Sequence, residues 1–203
     1  MKKVLLLAVV TLMTTMGAKA QNEEGEFTIM PKGGYSLVSL ASYADAKFMS
    51  GYVAGIEFEY GVNDNVGLVA GLHYSAQGVK DNAFDLKYML GYTNVPIMIQ
   101  YYPVKGLAFK AGAQLGFLVS KKAKIAGQKI DIDALEAITG LSSDFRKFDI
   151  AIPLGVSYEY KRIVLDVRYN LGLIGVLKDR DKAYRNSVFQ FSLGYKIPFA
   201  NID

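Results

Sequence analysis

The chain has 203 residues, no cysteine, 51% hydrophobic residues, and 23 basic against 19 acidic side chains. Without thiols it forms neither disulfides nor thiolate metal sites, and it cannot be a lipoprotein anchored through a modified cysteine. The first twenty residues hold three lysines and no acid, so most of the basic excess lies there and nothing in the charge pattern favours a nucleic-acid partner.

These first twenty residues follow the order of a secretory signal peptide. Two lysines precede an apolar run from Val4 to Met13, which is too short to cross a bilayer as a helix. Ala18-Lys19-Ala20 then fits a small-residue cleavage site. We predict that residues 1–20 are removed and that residues 21–203 form one exported domain.

Eight later segments alternate apolar and polar side chains with the two-residue period of a β-strand. The strands are predicted at residues 27–40, 51–60, 66–77, 88–102, 107–119, 148–160, 163–175 and 187–199. The connections between them are alternately long and short. Long connections are predicted at residues 41–49, 78–87, 120–147 and 176–186, and short ones at 61–65, 103–106 and 161–162.

This pattern predicts an all-β fold, an eight-stranded antiparallel up-and-down transmembrane β-barrel. The short turns and both termini are expected on the periplasmic side, and the long loops outside the cell. Within the longest connection, Ile132 to Ile138 could form a short helix that ends at Gly140. Pro96, Pro153 and Pro198 fall inside predicted strands, where we expect bulges or locally broken ladders, because proline has no backbone N–H to donate.

The two faces of the predicted strands differ in chemistry. One is continuously apolar, and the other mixes charged residues with glycines such as Gly55, Gly71 and Gly112. A soluble lipocalin-type barrel would turn the apolar face inward. Glycine weakens a solvated strand, however, whereas inside a narrow barrel it leaves room for large polar side chains, so we predict that the polar face lines the lumen. The predicted interior network is Glu57, Glu59, Lys110, Asp149, Glu159, Asp166, Arg168 and Lys196.

The strands that run towards the periplasmic rim end in aromatic residues. Tyr and Phe favour the depth of the lipid headgroups, so a ring of them is typical of a membrane-spanning barrel. The predicted lipid-interface aromatics are Phe58, Tyr60, Tyr101, Tyr158, Tyr160 and Phe199.

One histidine and a nearby serine are the strongest candidates for catalysis. A lipid-modifying barrel enzyme would need such a pair at a membrane-facing rim, with an acid to orient the histidine. His73 and Ser75 share the polar face of their strand and so would face the lumen. The sequence therefore favours an interior, hydrogen-bonded histidine.

Two acidic pairs are candidates for cation binding or proton transfer. Glu57 and Glu59 share one face, but pairing with interior lysines and arginines is the simpler interpretation, because buried charges must be neutralised. Asp131 and Asp133 lack the spacing of an EF-hand loop. No catalytic residue, cofactor or metal ligand is predicted.

Three stretches resemble the PorT-like outer-membrane β-barrel family, whose barrels are eight-stranded and of the OmpA/OmpX type. They are YTNVPIMIQYYPVKGLAFKAGAQLGFLVS, FDIAIPLGVSYEY followed by VRYNLGLIGV, and FQFSLGYKIPF. The last stretch also resembles the C-terminal signal read by the barrel-assembly machinery, although four residues follow it here. The residues of that signal are Ser192, Gly194, Ile197 and Phe199. The resemblance implies a Gram-negative outer-membrane barrel from a class whose individual functions are mostly unassigned.

The sequence thus favours a non-enzymatic envelope protein in the outer membrane, with extracellular loops as its interaction surface. A small-solute or ion conduit and a lipid-modifying barrel enzyme are the alternatives. The expected partners are outer-membrane lipid, the barrel-assembly machinery during biogenesis, and an unidentified extracellular or envelope component. An eight-stranded barrel with this lumen is expected to be filled.

Overall fold

Ten β-strands make up the described part of the computed structural model, which covers residues 24–41, 49–81, 86–125, 128–131, 146–175 and 185–201. They are β1 Glu26–Ala41, β2 Met49–Asn63, β3 Val66–Asp81, β4 Leu86–Val104, β5 Leu107–Ile125, β6 Gln128–Asp131, β7 Phe148–Tyr160, β8 Ile163–Gly175, β9 Arg185–Tyr195 and β10 Ile197–Asn201. No helix in these ranges is long and apolar enough to cross a bilayer. The predicted signal peptide, residues 1–20, lies outside them.

The strands form one antiparallel sheet that closes on itself. Strands β1 to β5 pair in order, β5 pairs with β7, and β7, β8 and β9 continue the wall. β9 and β10 are two parts of one strand interrupted at Lys196, and both pair with β1. Eight wall strands therefore close a barrel, which confirms the predicted fold class. β6 is an addition that pairs with the end of β5.

Tight turns close three hairpins at one end of the barrel, here called the turn rim, and the opposite end is called the loop rim. The turns lie at residues 64–65, 105–106 and 161–162. Lys161 and Arg162 both have left-handed φ angles, of 48° and 71°. Two successive left-handed residues are typical of a type I′ turn, whose twist matches that of the flanking strands.

At the loop rim, β3 and β4 are longer than predicted. β3 continues to Asp81 and β4 begins at Leu86, so the long connection predicted at residues 78–87 is wrong. From the pair His73 with Asn94, the paired backbone runs without interruption to the last pair, Asp81 with Leu86. This extension could not be predicted from the sequence, because its residues do not alternate between apolar and polar as the predicted strands do.

The same correction applies to β5. It continues to Ile125 and turns back as β6, so residues 120–125 are strand and the loop predicted at 120–147 begins too early. Three lysines in this extension interrupt the apolar pattern while the backbone ladder to β4 continues. The short helix predicted at Ile132 to Ile138 lies outside the described residues.

Pro96 and Pro153 interrupt pairing as predicted. Pro96 coincides with a gap in the β3–β4 ladder and Pro153 with a gap in the β5–β7 ladder, and in both places the register resumes unchanged. Pro198 pairs with Thr28 beside a register shift between Phe27 and Thr28. Pro96 and Pro153 are therefore accommodated where one side of the strand gives up its backbone hydrogen bonds.

The barrel wall is apolar outside and polar inside. On β8, Leu165 is 53% exposed, whereas Asp166 and Arg168 are each 1% exposed. The same alternation holds on β7, where Leu154 and Val156 face outward and Ser157 is buried. This arrangement excludes the lipocalin type, in which the apolar face would fill the interior.

Glycine is required on the inner face for two different reasons. A Cβ on Gly71 would lie 3.0 Å from Cγ of Glu57 and 3.2 Å from Nε2 of His73, so this glycine makes room for interior polar side chains. A Cβ on Gly112 would instead collide with the backbone of Ile97 on the neighbouring strand. The second cause is a close approach of two backbones, which sequence reasoning did not foresee.

Candidate functional site

A network of buried charges crosses the middle of the lumen. The Arg168 Nη2 atom lies 2.7 Å from Glu57 Oε1 and 3.3 Å from Asp166 Oδ2. Lys110 Nζ lies 2.9 Å from Asp166 Oδ2, and Lys32 Nζ joins both acids at 3.3 Å from Glu57 and 3.2 Å from Asp166. These five side chains, here called the central network, come from β1, β2, β5 and β8 and connect opposite walls.

His73 extends the central network. Its Nε2 atom lies 3.2 Å from Glu57 Oε1, and the residue is 2% exposed. Ser75, two positions further along β3, is fully buried on the same inner face. Both side chains therefore face the lumen, away from the membrane surface where a lipid substrate would lie.

A second network lies nearer the turn rim. Lys196 Nζ lies 2.8 Å from Glu59 Oε2 and 2.8 Å from Glu159 Oε2. It also donates a hydrogen bond to the Tyr102 hydroxyl at 2.9 Å, and that hydroxyl donates to Glu59 Oε1 at 2.9 Å. The amide of Gln100 donates to the same hydroxyl at 2.7 Å. We call this group the turn-rim network.

The structure thus divides the predicted interior residues into two networks and places one elsewhere. The central network has three cations and two anions, and the turn-rim network has one cation and two anions, so their charges balance together. Asp149 lies at the loop end of β7 and pairs with Gly116. It is six residues along the strand from Gly155, the position that pairs with Lys110 of the central network. Its inner-face position is near the loop rim.

Sequence reasoning missed one member of each network, Lys32 of the central network and Tyr102 of the turn-rim network. Lys32 was overlooked because β1, with Pro31 and two glycines beside it, was the least regular segment, although alternation with Thr28, Met30 and Ser36 puts it on the inner face. Tyr102 was counted as the end of a strand, but it lies two residues after the buried Gln100 and so keeps the same inward phase.

The predicted lipid-interface aromatics lie on the outer wall near the turn rim. Phe27 lies between two of them, with its ring centroid 6.0 Å from Phe58 and 6.1 Å from Phe199. Tyr101 is 52% exposed, and the other three, Tyr60, Tyr158 and Tyr160, are half-buried. We call these residues and Phe27 the turn-rim belt.

A second set of outward aromatics lies towards the loop rim and was not predicted. Their rings pack in pairs: Tyr52 with Tyr74 at 5.9 Å, and Phe117 with Phe148 at 5.4 Å. On β5, eight residues separate Phe109 at the turn-rim level from Phe117, a height of about 20 Å for a strand tilted by about 40°. That height is close to the apolar band of a membrane-spanning barrel. This loop-rim belt comprises Tyr35, Tyr52, Tyr74, Phe117, Phe148, Tyr169, Phe189 and Phe191.

The predicted assembly-signal residues are divided by the break at Lys196. Ser192 and Gly194 belong to β9 and are buried on the inner face. Ile197 and Phe199 belong to β10 and are exposed on the outer face. The main-chain N–H of Lys196 donates to Arg162 O at 2.8 Å, which ties the break to the turn between β7 and β8.

Among the residues that the structure describes, no three His, Cys, Asp or Glu side chains converge as metal ligands. A shallow depression of about 600 Å³ lies on the outer wall and is lined mainly by apolar side chains, including Ile99, Phe109, Leu154 and Val167. Its chemistry suits acyl chains rather than a polar substrate.

A closed barrel with a charged lumen, an apolar outer wall and two aromatic belts defines a membrane-spanning β-barrel protein. The model of the family described as outer membrane protein beta-barrel domain matches residues 19–178, and the chain belongs to this family. It is thus an outer-membrane β-barrel protein.

Solved barrels share the fold at low sequence identity. Ail, the attachment invasion locus protein of Yersinia pestis, is 17% identical with a TM-score of 0.50, and the match covers 86% of this chain and 99% of Ail. Neisserial surface protein A is 13% identical with a TM-score of 0.52, and the match covers 88% of this chain and 100% of that protein. No curated protein matches the sequence significantly.

Proposed function

We propose that this outer-membrane barrel is a non-enzymatic envelope protein that acts through its extracellular end. One observation carries the proposal: two buried charge networks occupy the lumen, whereas β3, β4 and β5 continue beyond the loop-rim belt. Strand ends and loops on a rigid scaffold are where binding residues concentrate. In this proposal the turn rim is periplasmic, the signal peptide directs export, and the partner is an extracellular or envelope component.

The ion-conduit alternative is less well supported because networks of buried ion pairs cross the lumen. A conducting path would have to separate Arg168 from Glu57 and Lys110 from Asp166, which are all nearly fully buried. Breaking one such buried pair costs about 3–5 kcal/mol. The enzyme alternative is opposed by the inward position of His73 and Ser75. We also infer that the chain is a PorT-like member of this family, because the three sequence stretches given above resemble PorT-like barrels.

The proposal is tested by removing the segment between β6 and β7. Replacing residues 132–145 with a short Gly/Ser linker leaves every wall strand intact, so the variant is expected to fold and to keep its faster migration on unboiled gels. Cells that display the variant should lose binding to immobilised glycans or proteins that wild-type cells retain. Wild-type protein in planar bilayers should show no stepwise conductance.

Two results would contradict the proposal. Stepwise conductance of wild-type protein would favour the conduit. A linker variant that folds and keeps all surface binding would show that the segment between β6 and β7 is not the working part.

A further inference from the structure

The depression on the outer wall follows two adjacent register rows. The row nearer the turn rim is Tyr101, Phe109, Val156 and Val167, and the next is Ile99, Ala111, Leu154, Tyr169 and Phe189. The second row crosses five wall strands, so four strand spacings give the depression a length of about 19 Å. A lipid tail in one leaflet spans about 15 Å, half of the hydrocarbon core. The depression is therefore long enough for a single tail.

A short side chain between longer ones shapes this depression. Ala111 pairs with Ile99 on one side and with Leu154 on the other, and all three side chains are exposed on the outer wall. The alanine ends at its Cβ, whereas both neighbours project further from the wall. A lipid tail that lies against Ala111 thus has apolar contacts on its two sides as well as beneath it.

In the described chain, the exposed basic residues of the turn rim lie in the two hairpin turns at the turn-rim end of the depression. Lys105 lies in the turn between β4 and β5, and Lys161 and Arg162 form the turn between β7 and β8. The two turns are neighbours, because the main-chain N–H of Glu159 donates to Gly106 O at 2.8 Å. We call Lys105, Lys161 and Arg162 the basic turns.

Acidic residues of this rim lie on its other side. Glu24, just before β1, and Asp64, in the turn between β2 and β3, are both exposed. The described turn rim thus has a basic side, which adjoins the depression, and an acidic side on β1 to β3. A negatively charged headgroup is favoured only on the basic side.

The Lys161 side chain lies along the outer wall at the depth of lipid headgroups. Its Nζ atom is 5.3 Å from the ring centroid of Tyr160, a residue of the turn-rim belt. On β5, Phe109 is four residues from Lys105, a height of about 10 Å for a strand tilted by about 40°. The headgroup region is about 5–8 Å thick. A lipid whose tail enters the depression at Phe109 therefore places its phosphate within reach of the basic turns.

We propose that the depression and the basic turns together bind an anionic glycerophospholipid of the phosphatidylglycerol class. One acyl chain lies against Ala111, and the phosphate lies at Lys105, Lys161 and Arg162. Each basic residue near an anionic headgroup adds to the attraction, which salt screens. In the proposed orientation this lipid belongs to the inner leaflet, although the site itself does not depend on that orientation.

The test uses tryptophan as a reporter, because the chain has none of its own. F109W exchanges one aromatic residue of the depression for another, and F58W puts the same reporter in the turn-rim belt on the acidic side. Each protein is reconstituted in mixtures of phosphatidylcholine and phosphatidylglycerol, one of which carries brominated chains that quench tryptophan. We expect F109W to prefer phosphatidylglycerol at least about fivefold, the contribution of one basic residue beside anionic lipid, and F58W to show no preference.

Two pairs of variants in the F109W protein separate the headgroup from the tail. K105Q/K161Q/R162Q should abolish the preference, whereas K105R/K161R should keep it. A111L fills the depression and should lower the preference towards the F58W value. A70L makes the same change on the outer wall of β3, outside the depression, and should leave the preference unchanged.

Equal quenching of F109W by the two lipids would overturn the inference, as would a folded glutamine or A111L variant that keeps the full preference. Displacement of the lipid by soluble glycerol phosphate would also overturn it, because the tail would then contribute nothing. Quenching of F58W but of F109W by neither lipid would show that a second copy of the chain covers the depression. If a variant fails to fold, F109W alone decides: its preference must weaken as salt is raised, and a salt-independent preference refutes the site.

Discussion

Replacing Asp166 by Asn removes one negative charge from the central network with almost no change in shape. In the native barrel this carboxylate faces Lys110 at 2.9 Å, Lys32 at 3.2 Å and Arg168 at 3.3 Å, and it is 1% exposed. After the change, three buried cations share one remaining carboxylate, that of Glu57. Removing one partner of a buried ion pair costs about 3–5 kcal/mol, and we expect the free energy of unfolding to fall by that amount.

A double-mutant cycle separates this charge effect from a packing effect. In D166N/K110M the cation that lies closest to the lost carboxylate is removed as well. The double variant should be more stable than the sum of the two single changes predicts, by about 1–3 kcal/mol. The matched control is D166N/K196M, whose second lysine belongs to the turn-rim network. Because Asp166 and Lys196 belong to different networks, their effects should add within about 0.5 kcal/mol.

Stability can be measured by urea titration of the barrel in lipid vesicles. The chain has no tryptophan, so far-UV circular dichroism and the band shift on unboiled gels are the suitable probes. A loss below about 1 kcal/mol for D166N, or additivity of D166N with K110M, would refute the view that these buried ions neutralise one another.

Two further predictions concern the wall and a turn. Val167→Arg places a charge on the lipid face and should lower the free energy of unfolding by about 2–4 kcal/mol. Spin labels at 165 and 167 should be accessible to lipid-soluble oxygen, and labels at 166 and 168 should be shielded. The reverse pattern would show that the polar face lies outside and would refute the membrane orientation of the wall. Arg162→Gly relieves a left-handed φ of 71° and should raise the free energy of unfolding by about 0.5–1 kcal/mol, which is measured as a small rise in the urea midpoint. A lower midpoint would show that the Arg162 side chain stabilises the turn.

The two-residue period was sufficient to predict eight strands and their apolar and polar sides, because alternation is a local property of a half-buried strand. It was insufficient to predict where the strands end, because the extension of β5 after Ser120 lacks the alternation of apolar and polar residues that a lipid-facing strand shows. The actual ion pairs depend on register around the closed wall. Lys32 meets Asp166 across 134 positions of sequence, a contact that no local pattern contains.

Register also explains why the interior charges, predicted as one network, form two separate networks. Glu57 and Glu59 share a face, but two residues along a strand separate them by about 7 Å. Glu57 therefore pairs with Arg168 and Lys32 at its level of the lumen, and Glu59 pairs with Lys196 at the next level. The sequence identified which charges are interior, whereas the curvature and stagger of the barrel determine which of them touch.

The position of Lys196 has a consequence for how the barrel is made. It lies at the break in the last of the eight wall strands in chain order, and its partners come from β2, β4 and β7, which precede that strand in the chain. Before that strand joins the sheet, the remaining side chains of the two networks carry one more negative than positive charge. Their inner face must then stay hydrated, which opposes burial of an unfinished sheet in lipid. Closure supplies the missing cation, so neutrality of the lumen and completion of the wall coincide in a single step.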